Sequence, residues 1–447
     1  AQRLHYVAIA ATPAKLGDIL SSATDALLAK ALAEQWWGLV PGIHRLRFAD
    51  GRVTLTLGIG ALQPMLKSLV FEADAVLLSG DGLETDALDT LKAITRHCQV
   101  GTEVLSLDPM PTVRALLPQL GFRVEDGPLA LTASFAPRWP LKRVVARAVP
   151  PNRATVIGAG LSGATVARQL ADRGWHVNVL DRADHPAAGA SALPVGLMAT
   201  HVSPDDAPIS RASRAGIRAS LNWLTNLCTA GEDWLATGAL EQGRDAGKNS
   251  WPAQWNAHDA SAWFSRDANG LHHKQAAWVK PGALVRACLD HPHIHFSANA
   301  DVRSLSHAAG AWTALDAGGQ VLSAAPLVVV CNAYGIRQLL PEAETLPLDL
   351  VAGQVAMAAQ TAALKTPLNG NGHWVPDVPG TEGRFWLSGS TYERMPLSAL
   401  DASKGLEANR ARLARLLAHW PEADQALQTQ FQRGEVRRWI GERCTSI

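Results

Sequence analysis

Apolar and polar positions alternate from Arg52 to Leu57 (RVTLTL), which predicts a strand, and Asp50-Gly51 ahead of it predicts a turn. Ala73 to Leu78 is a short apolar run, the pattern of a buried strand. Helical spacing runs from Leu83 to Cys98, strand spacing returns from Gly101 to Leu107, and a helix is predicted from Pro111 to Leu120 with Gly121 as its stop. Strands alternating with helices predict an α/β sheet here. The alternation resumes at residues 154–181: an apolar run, a glycine cluster, a helical stretch, and a second apolar run ending on an acid. A further apolar run, Leu327 onward, ends in small residues at Gly335. Three zones result: 1–137, a proline-punctuated linker at 138–152, and 153–447.

The glycines at 158, 160 and 163 carry the clearest chemistry. In the pattern Gly-x-Gly-x-x-Gly after a strand, the first glycine permits a tight turn, the second lets a pyrophosphate approach the backbone, and the third lets the helix pack close. The helix that follows offers free N–H groups and a positive dipole end to phosphates. Asp181 ends the second strand 23 residues after Gly158, where an acid can accept hydrogen bonds from ribose hydroxyls. A dinucleotide is therefore expected. Three later features favour FAD over NAD: the small-residue loop Gly189-Ala190-Ser191 near the pyrophosphate, the backbone at Val302 for the adenine, and the turn after Leu327–Val330 that leads back to the cofactor. Each could be plain strand and loop, but their order supports FAD.

Composition narrows the function classes. The 447 residues are 47% hydrophobic and 18% charged, with a net charge of +1, which describes a soluble globular protein of two or three domains with no overall nucleic-acid bias. The linker is locally different: Arg138, Lys142, Arg143 and Arg147, with Arg153 just beyond, stand without an acid. It reads as a solvated tether or as a contact for a phosphate backbone. The five scattered cysteines form no CxxC pair, so neither a disulfide framework nor a metal site is expected, and a cytoplasmic location fits. The longest apolar stretch, Ala324 to Cys331, is too short to span a bilayer, so no membrane partner is expected.

An ordered set of segments resembles one family. Pro41 to Leu46, Gly51 to Leu57 and Val113 to Phe122 are similar to the later part of an S-adenosylmethionine methyltransferase. The Gly158 fingerprint, Gly189-Ala-Ser191, Gly353-Gln354, Gly389-Ser-Thr-Tyr-Glu393 and Arg443-Cys-Thr-Ser446 resemble successive landmarks of a flavin oxidase of the D-amino-acid and glycine oxidase type. This combination resembles the MnmC family, bifunctional bacterial enzymes of tRNA wobble-uridine modification. The resemblance implies a partial Rossmann-like methyltransferase sheet over 1–137. A FAD-binding Rossmann-type domain with an inserted antiparallel substrate sheet, spanning parts of 200–300 and 336–435, would follow.

The resemblance also implies the chemistry. The flavin domain would remove the carboxymethyl group of 5-carboxymethylaminomethyluridine in the tRNA anticodon loop as glyoxylate, and the protein would work as a monomer. Arg443 would anchor the substrate carboxylate through its two-pronged guanidinium, and Tyr392 would bond that carboxylate or wall the site. Gly353 and Gln354 would bring backbone close to the flavin ring. Ala352 stands where the family usually has Arg; His373 and Trp374 could flank the pocket or simply pack.

Other departures bear on the remaining activities. The family's S-adenosylmethionine loop is expected upstream of residue 1, Ser79-Gly80-Asp81-Gly82 replaces its Asp-Gly-Phe stretch, and Leu129 to Ala133 lacks its basic segment. S-adenosylmethionine and methyl transfer are thus doubtful for this chain. The glycine-rich segment that closes over the flavin is expected beyond Ile447. The alternatives are a small-molecule amine or amino-acid oxidase, and a non-catalytic tRNA-binding remnant.

Overall fold

The computed structural model describes residues 3–79, 86–107, 110–126, 130–141, 149–242, 251–394, 397 and 401–446. Gly80-Asp81-Gly82, Leu129 and the linker residues 142–148 lie outside the described residues. The chain forms two compact units, Ala1–Val149 and Pro150–Ile447.

Among its described residues the first unit contains two sheets. Leu4–Ala10 pairs parallel to Val53–Ile59, which pairs antiparallel to Gly42–Phe48. In the other sheet Ala73–Leu78 lies parallel to Cys98–Ser106, and the antiparallel strands Leu131–Phe135 and Phe122–Asp126 follow. Leu91, Val104, Val113, Leu117, Leu131 and Phe135 form its core. The helix expected from Pro111 to Leu120 stops at Leu116 and tightens into a 3₁₀ turn, Pro118–Leu120. Pro118 has no N–H to continue the helix's hydrogen-bond ladder, although Leu117 before it keeps helical geometry. Gly121 ends the turn in the left-handed region, at φ 91°.

In the second unit a parallel sheet runs in the order Ile294–Ser297, His176–Leu180, Arg153–Ile157, Leu327–Val330. Helix Leu161–Ala171 packs Gly163, Ala164, Ala167 and Ala171 inward, and their small size lets the helix sit close against the sheet. A larger, mostly antiparallel sheet has eight strands: Phe264–Asp267, Gly270–His273, Ala239–Glu241, Leu368–Gly370, Gly372–Gly380, Gly383–Gly389, Leu348–Ala359 and Arg437–Ser446. It extends past the expected limit of 435, because Arg437–Ser446 pairs along the whole of Leu348–Met357.

The two faces of this sheet have different cover. Trp374, Trp386, Ala356 and Ala358 pack with Leu413, Leu417 and Leu427, which belong to helices Ala402–Leu416 and Pro421–Gln432 and the turn between them. Val355, Val375 and Leu387 on the other face pack with Leu193, Val195 and Leu197, just after the loop containing Ser191. Period-two alternation thus joins the substrate sheet to the cofactor loop through one apolar layer.

Candidate functional site

The glycine turn is built as its sequence predicts. Gly158 has φ 104°, a conformation costly for residues with a Cβ, and a Cβ there would lie 2.6 Å from the Cys331 carbonyl oxygen. The strand Leu327–Val330 therefore delivers its turn directly against the fingerprint. A Cβ on Gly163 would lie 1.8 Å from the Gly158 carbonyl oxygen. Gly160 is different: a Cβ there would meet Ser191 Oγ alone, at 3.2 Å. The Leu161 amide donates to Ser191 Oγ at 3.0 Å, so this loop is tied to the helix start. The following amides, Ser162 and Gly163, have no carbonyl one turn back to bond within the helix. An open glycine surface beside free helix-start amides fits a pyrophosphate.

Asp181 also braces the turn. Its Oδ2 accepts from the Ala159 amide at 2.6 Å and its Oδ1 from the Ala183 amide at 2.9 Å. Both oxygens retain a further lone pair for a ribose hydroxyl. Its backbone carbonyl accepts from the Ala300 amide at 2.7 Å, which brings the segment leading to buried Val302 alongside. Asp181→Asn is expected to lower the stability of the second unit by about 1–3 kcal/mol, because one braced amide then faces an NH₂. An unchanged thermal melt with weaker FAD binding would instead assign Asp181 to the ribose alone.

Arg443 and Tyr392 come together on the large sheet. The Arg443 guanidinium carbon lies 5.1 Å from the centre of the Tyr392 ring, and both residues are exposed. Arg443 is paired with Val351, so it emerges on the face of Val351, Gly353 and Val355. Its strand runs beside Ala190–Ala192 and Ala333–Gly335, the two turns that border the glycine fingerprint. The strand that carries Arg443 therefore borders the cofactor cradle within one unit. Gly353 belongs to the same face, where a Cβ would press on the Thr391 carbonyl at 3.1 Å.

Gln354 points the other way. Its amide donates to Thr391 Oγ1 at 3.0 Å, its carbonyl accepts from Asn409 Nδ2 at 2.7 Å, and its fully buried side chain lies under Gly405 of the helix layer. The geometry places Gln354 as a buried packing residue and leaves Gly353 as the member of the pair on the site's face.

His373, which the sequence left as either a pocket-flanking or a packing residue, lies on the site's face of the sheet. It forms a lateral row with Gly389 and Val355, so it shares the face of Arg443. Its Nε2 is buried with no hydrogen-bond partner among the described residues. Burial, and secondarily the Arg443 charge, push its imidazole down to about 4. The other histidine pair is already engaged: His273 bridges Thr200 Oγ1 at 3.1 Å and Glu241 Oε2 at 2.7 Å, and His272 meets Asp267 at 2.8 Å. Among the described residues no group of histidines, cysteines and acids could hold a metal ion.

Residues 153–446 match the family model described as FAD dependent oxidoreductase. Over 99% of its length the chain is 39% identical to a protein of Polaromonas naphthalenivorans (strain CJ2), covering 76% of that protein. It is likewise 39% identical to a protein of Acidovorax sp. (strain JS42), covering 77% of it. Both relatives are named tRNA 5-methylaminomethyl-2-thiouridine biosynthesis bifunctional protein MnmC. The chain belongs to the MnmC family. It is an FAD-dependent oxidoreductase, and the Gly158 cradle fits that cofactor. Among solved structures, glycine oxidase from Geobacillus kaustophilus is similar at 18% identity and a TM-score of 0.48, over 66% of this chain and 83% of that one. The first unit carries its own cavity, of about 650 Å³, lined by Cys98, Leu120, Phe135 and Trp139 among others. It lies at the strand-start end of the sheet, whereas exposed Ser79 follows the other end of Ala73–Leu78.

Proposed function

We propose that the chain oxidises the carboxymethylaminomethyl group of a tRNA wobble uridine, releasing glyoxylate and leaving an aminomethyl base. The observation that carries this reading is the exposed Arg443 over the Tyr392 ring, on the strand that borders the cofactor turns. An open anchor for a carboxylate suits a substrate carried on a polymer, and the relatives' printed names refer to tRNA. When bound, FAD supplies the hydride acceptor. Gly160 and the helix start would hold its pyrophosphate, Ser191 the loop beside it, Asp181 the ribose, and Val302 the adenine end. Arg443 binds the glycine-like carboxylate as a two-pronged donor, and Tyr392 supports the guanidinium with its ring.

The reading assigns no methyl transfer to the first unit, where Ser79 stands in place of the family's Asp and the cavity opens at the opposite end of the strands. It implies a cytoplasmic site of action; among the described residues no helix is long and apolar enough to cross a membrane. Purified protein incubated with tRNA bearing 5-carboxymethylaminomethyluridine is expected to release glyoxylate. Glyoxylate from free glycine but none from the tRNA would replace this reading with a small-molecule oxidase. A colourless protein that still shifts tRNA would indicate a non-catalytic binder.

A further inference from the structure

Oxidation at a carbon next to an amine draws on the nitrogen lone pair, so the amine must react as the free base. A free secondary amine bound in this pocket still carries an N–H, which needs an acceptor once water is excluded. Arg443 offers donors alone. The Tyr392 ring lies against the guanidinium. On the same face, His373 presents a buried Nε2 with no partner among the described residues. Gly389, its neighbour in the row, and Gly353 place no side chain between His373 and Arg443: a Cβ at Gly389 would press on Val355, and one at Gly353 on the Thr391 carbonyl.

We propose that His373 touches the substrate, its Nε2 accepting the hydrogen bond of the amine being oxidised while Arg443 holds the carboxylate. The inference rests on the oxidase reading but not on tRNA as the substrate. Burial and the Arg443 charge support it by keeping the imidazole neutral, since an imidazolium has no lone pair to accept with. Arg443 then governs whether the carboxylate binds. His373 governs how the amine, and with it the adjacent C–H, is oriented.

The test separates these two roles on the flavin-loaded protein. Two probes are used: N-ethylglycine, an oxidisable secondary amino acid, and methoxyacetate, a carboxylate of similar shape without an N–H. Anaerobic mixing with N-ethylglycine gives the limiting rate of flavin bleaching and the concentration for half-maximal rate. Methoxyacetate binding is read from its perturbation of the flavin spectrum. His373→Leu is expected to slow the limiting rate by roughly tenfold or more and to leave methoxyacetate affinity within about twofold. His373→Gln, which keeps an acceptor, should recover most of the rate.

A His373→Leu variant that bleaches at the wild-type rate overturns the proposal. So does one that loses methoxyacetate affinity in step with its rate, because His373 would then act on the carboxylate or on the fold. If His373→Leu does not retain flavin, His373→Phe supplies the apolar comparison with His373→Gln. Wild-type protein that bleaches with N-ethylglycine but not with the modified tRNA overturns the tRNA reading and leaves His373 in place. Bleaching by neither overturns both.

Discussion

Alanine at Gly163 is expected to prevent the second unit from folding, while alanine at Gly160 is expected to leave it folded and colourless. The two glycines are three residues apart and meet different surroundings. At Gly163 the added Cβ lies 1.8 Å from the Gly158 carbonyl oxygen, a backbone atom that no rotamer change can move. Relief requires the turn to open, and the turn is pinned by the Ala159–Asp181 and Cys331–Ile157 hydrogen bonds. The cost should exceed about 4 kcal/mol, in the range reserved for severe backbone or core damage. At Gly160 the Cβ approaches one hydroxyl at 3.2 Å, with φ −81° already accessible to alanine. The fold can absorb that contact, but the methyl group then occupies the surface where the pyrophosphate would lie. Circular dichroism melts and visible flavin absorbance separate the two outcomes. A yellow Gly160→Ala protein with wild-type FAD affinity would remove the cradle assignment.

Arg443→Met should be the most damaging substitution that leaves the protein folded and yellow. The side chain is exposed, so little packing is lost, and the apolar stem of Met can still cover Tyr392. What disappears is a charge-assisted, two-pronged contact to the substrate carboxylate. Its loss is worth about 3 kcal/mol, or roughly a hundredfold in kcat/KM. The change should fall mainly on KM, because the carboxylate is bound equally before and during hydride removal. Lysine would restore the charge without the fork, so Arg443→Lys should recover part of the affinity. Equal activity in Arg443→Met and wild type would move the carboxylate anchor elsewhere.

Much of the second unit's organisation could be read along the chain. Gly158, Gly160, Gly163 and Asp181 are fixed relative to one another by a strand, a turn, a helix and a second strand, all local elements. The small-residue turn after Leu327–Val330 was also readable, although its role against Gly158 depends on two parallel strands meeting. In the first unit the helix from Pro111 was expected to run too far, because its spacing masked the break that Pro118 imposes. Arg437–Ser446 was not expected as a full strand of the large sheet. Its sequence, RRWIGERCTS, has little alternation, and its strand geometry comes from pairing along Leu348–Met357.

The sequence by itself determined the glycine turn with its strand, helix and second strand, and it pointed to an FAD-dependent oxidoreductase with Arg443 as the proposed carboxylate anchor, since these rest on local spacing and on matched segments. The tertiary structure decided which side chains share a face. Strand periodicity says that neighbours alternate, but not which strand lies beside which or in what register. That register turns Gln354 into the helix layer, leaves Gly353 on the site's face, and sets Arg443 over Tyr392. It also brings His373, 70 positions away in sequence, to the same surface as Arg443. Burial on that surface, with the Arg443 charge, pushes the His373 imidazole down to about 4, and its Nε2 has no hydrogen-bond partner among the described residues.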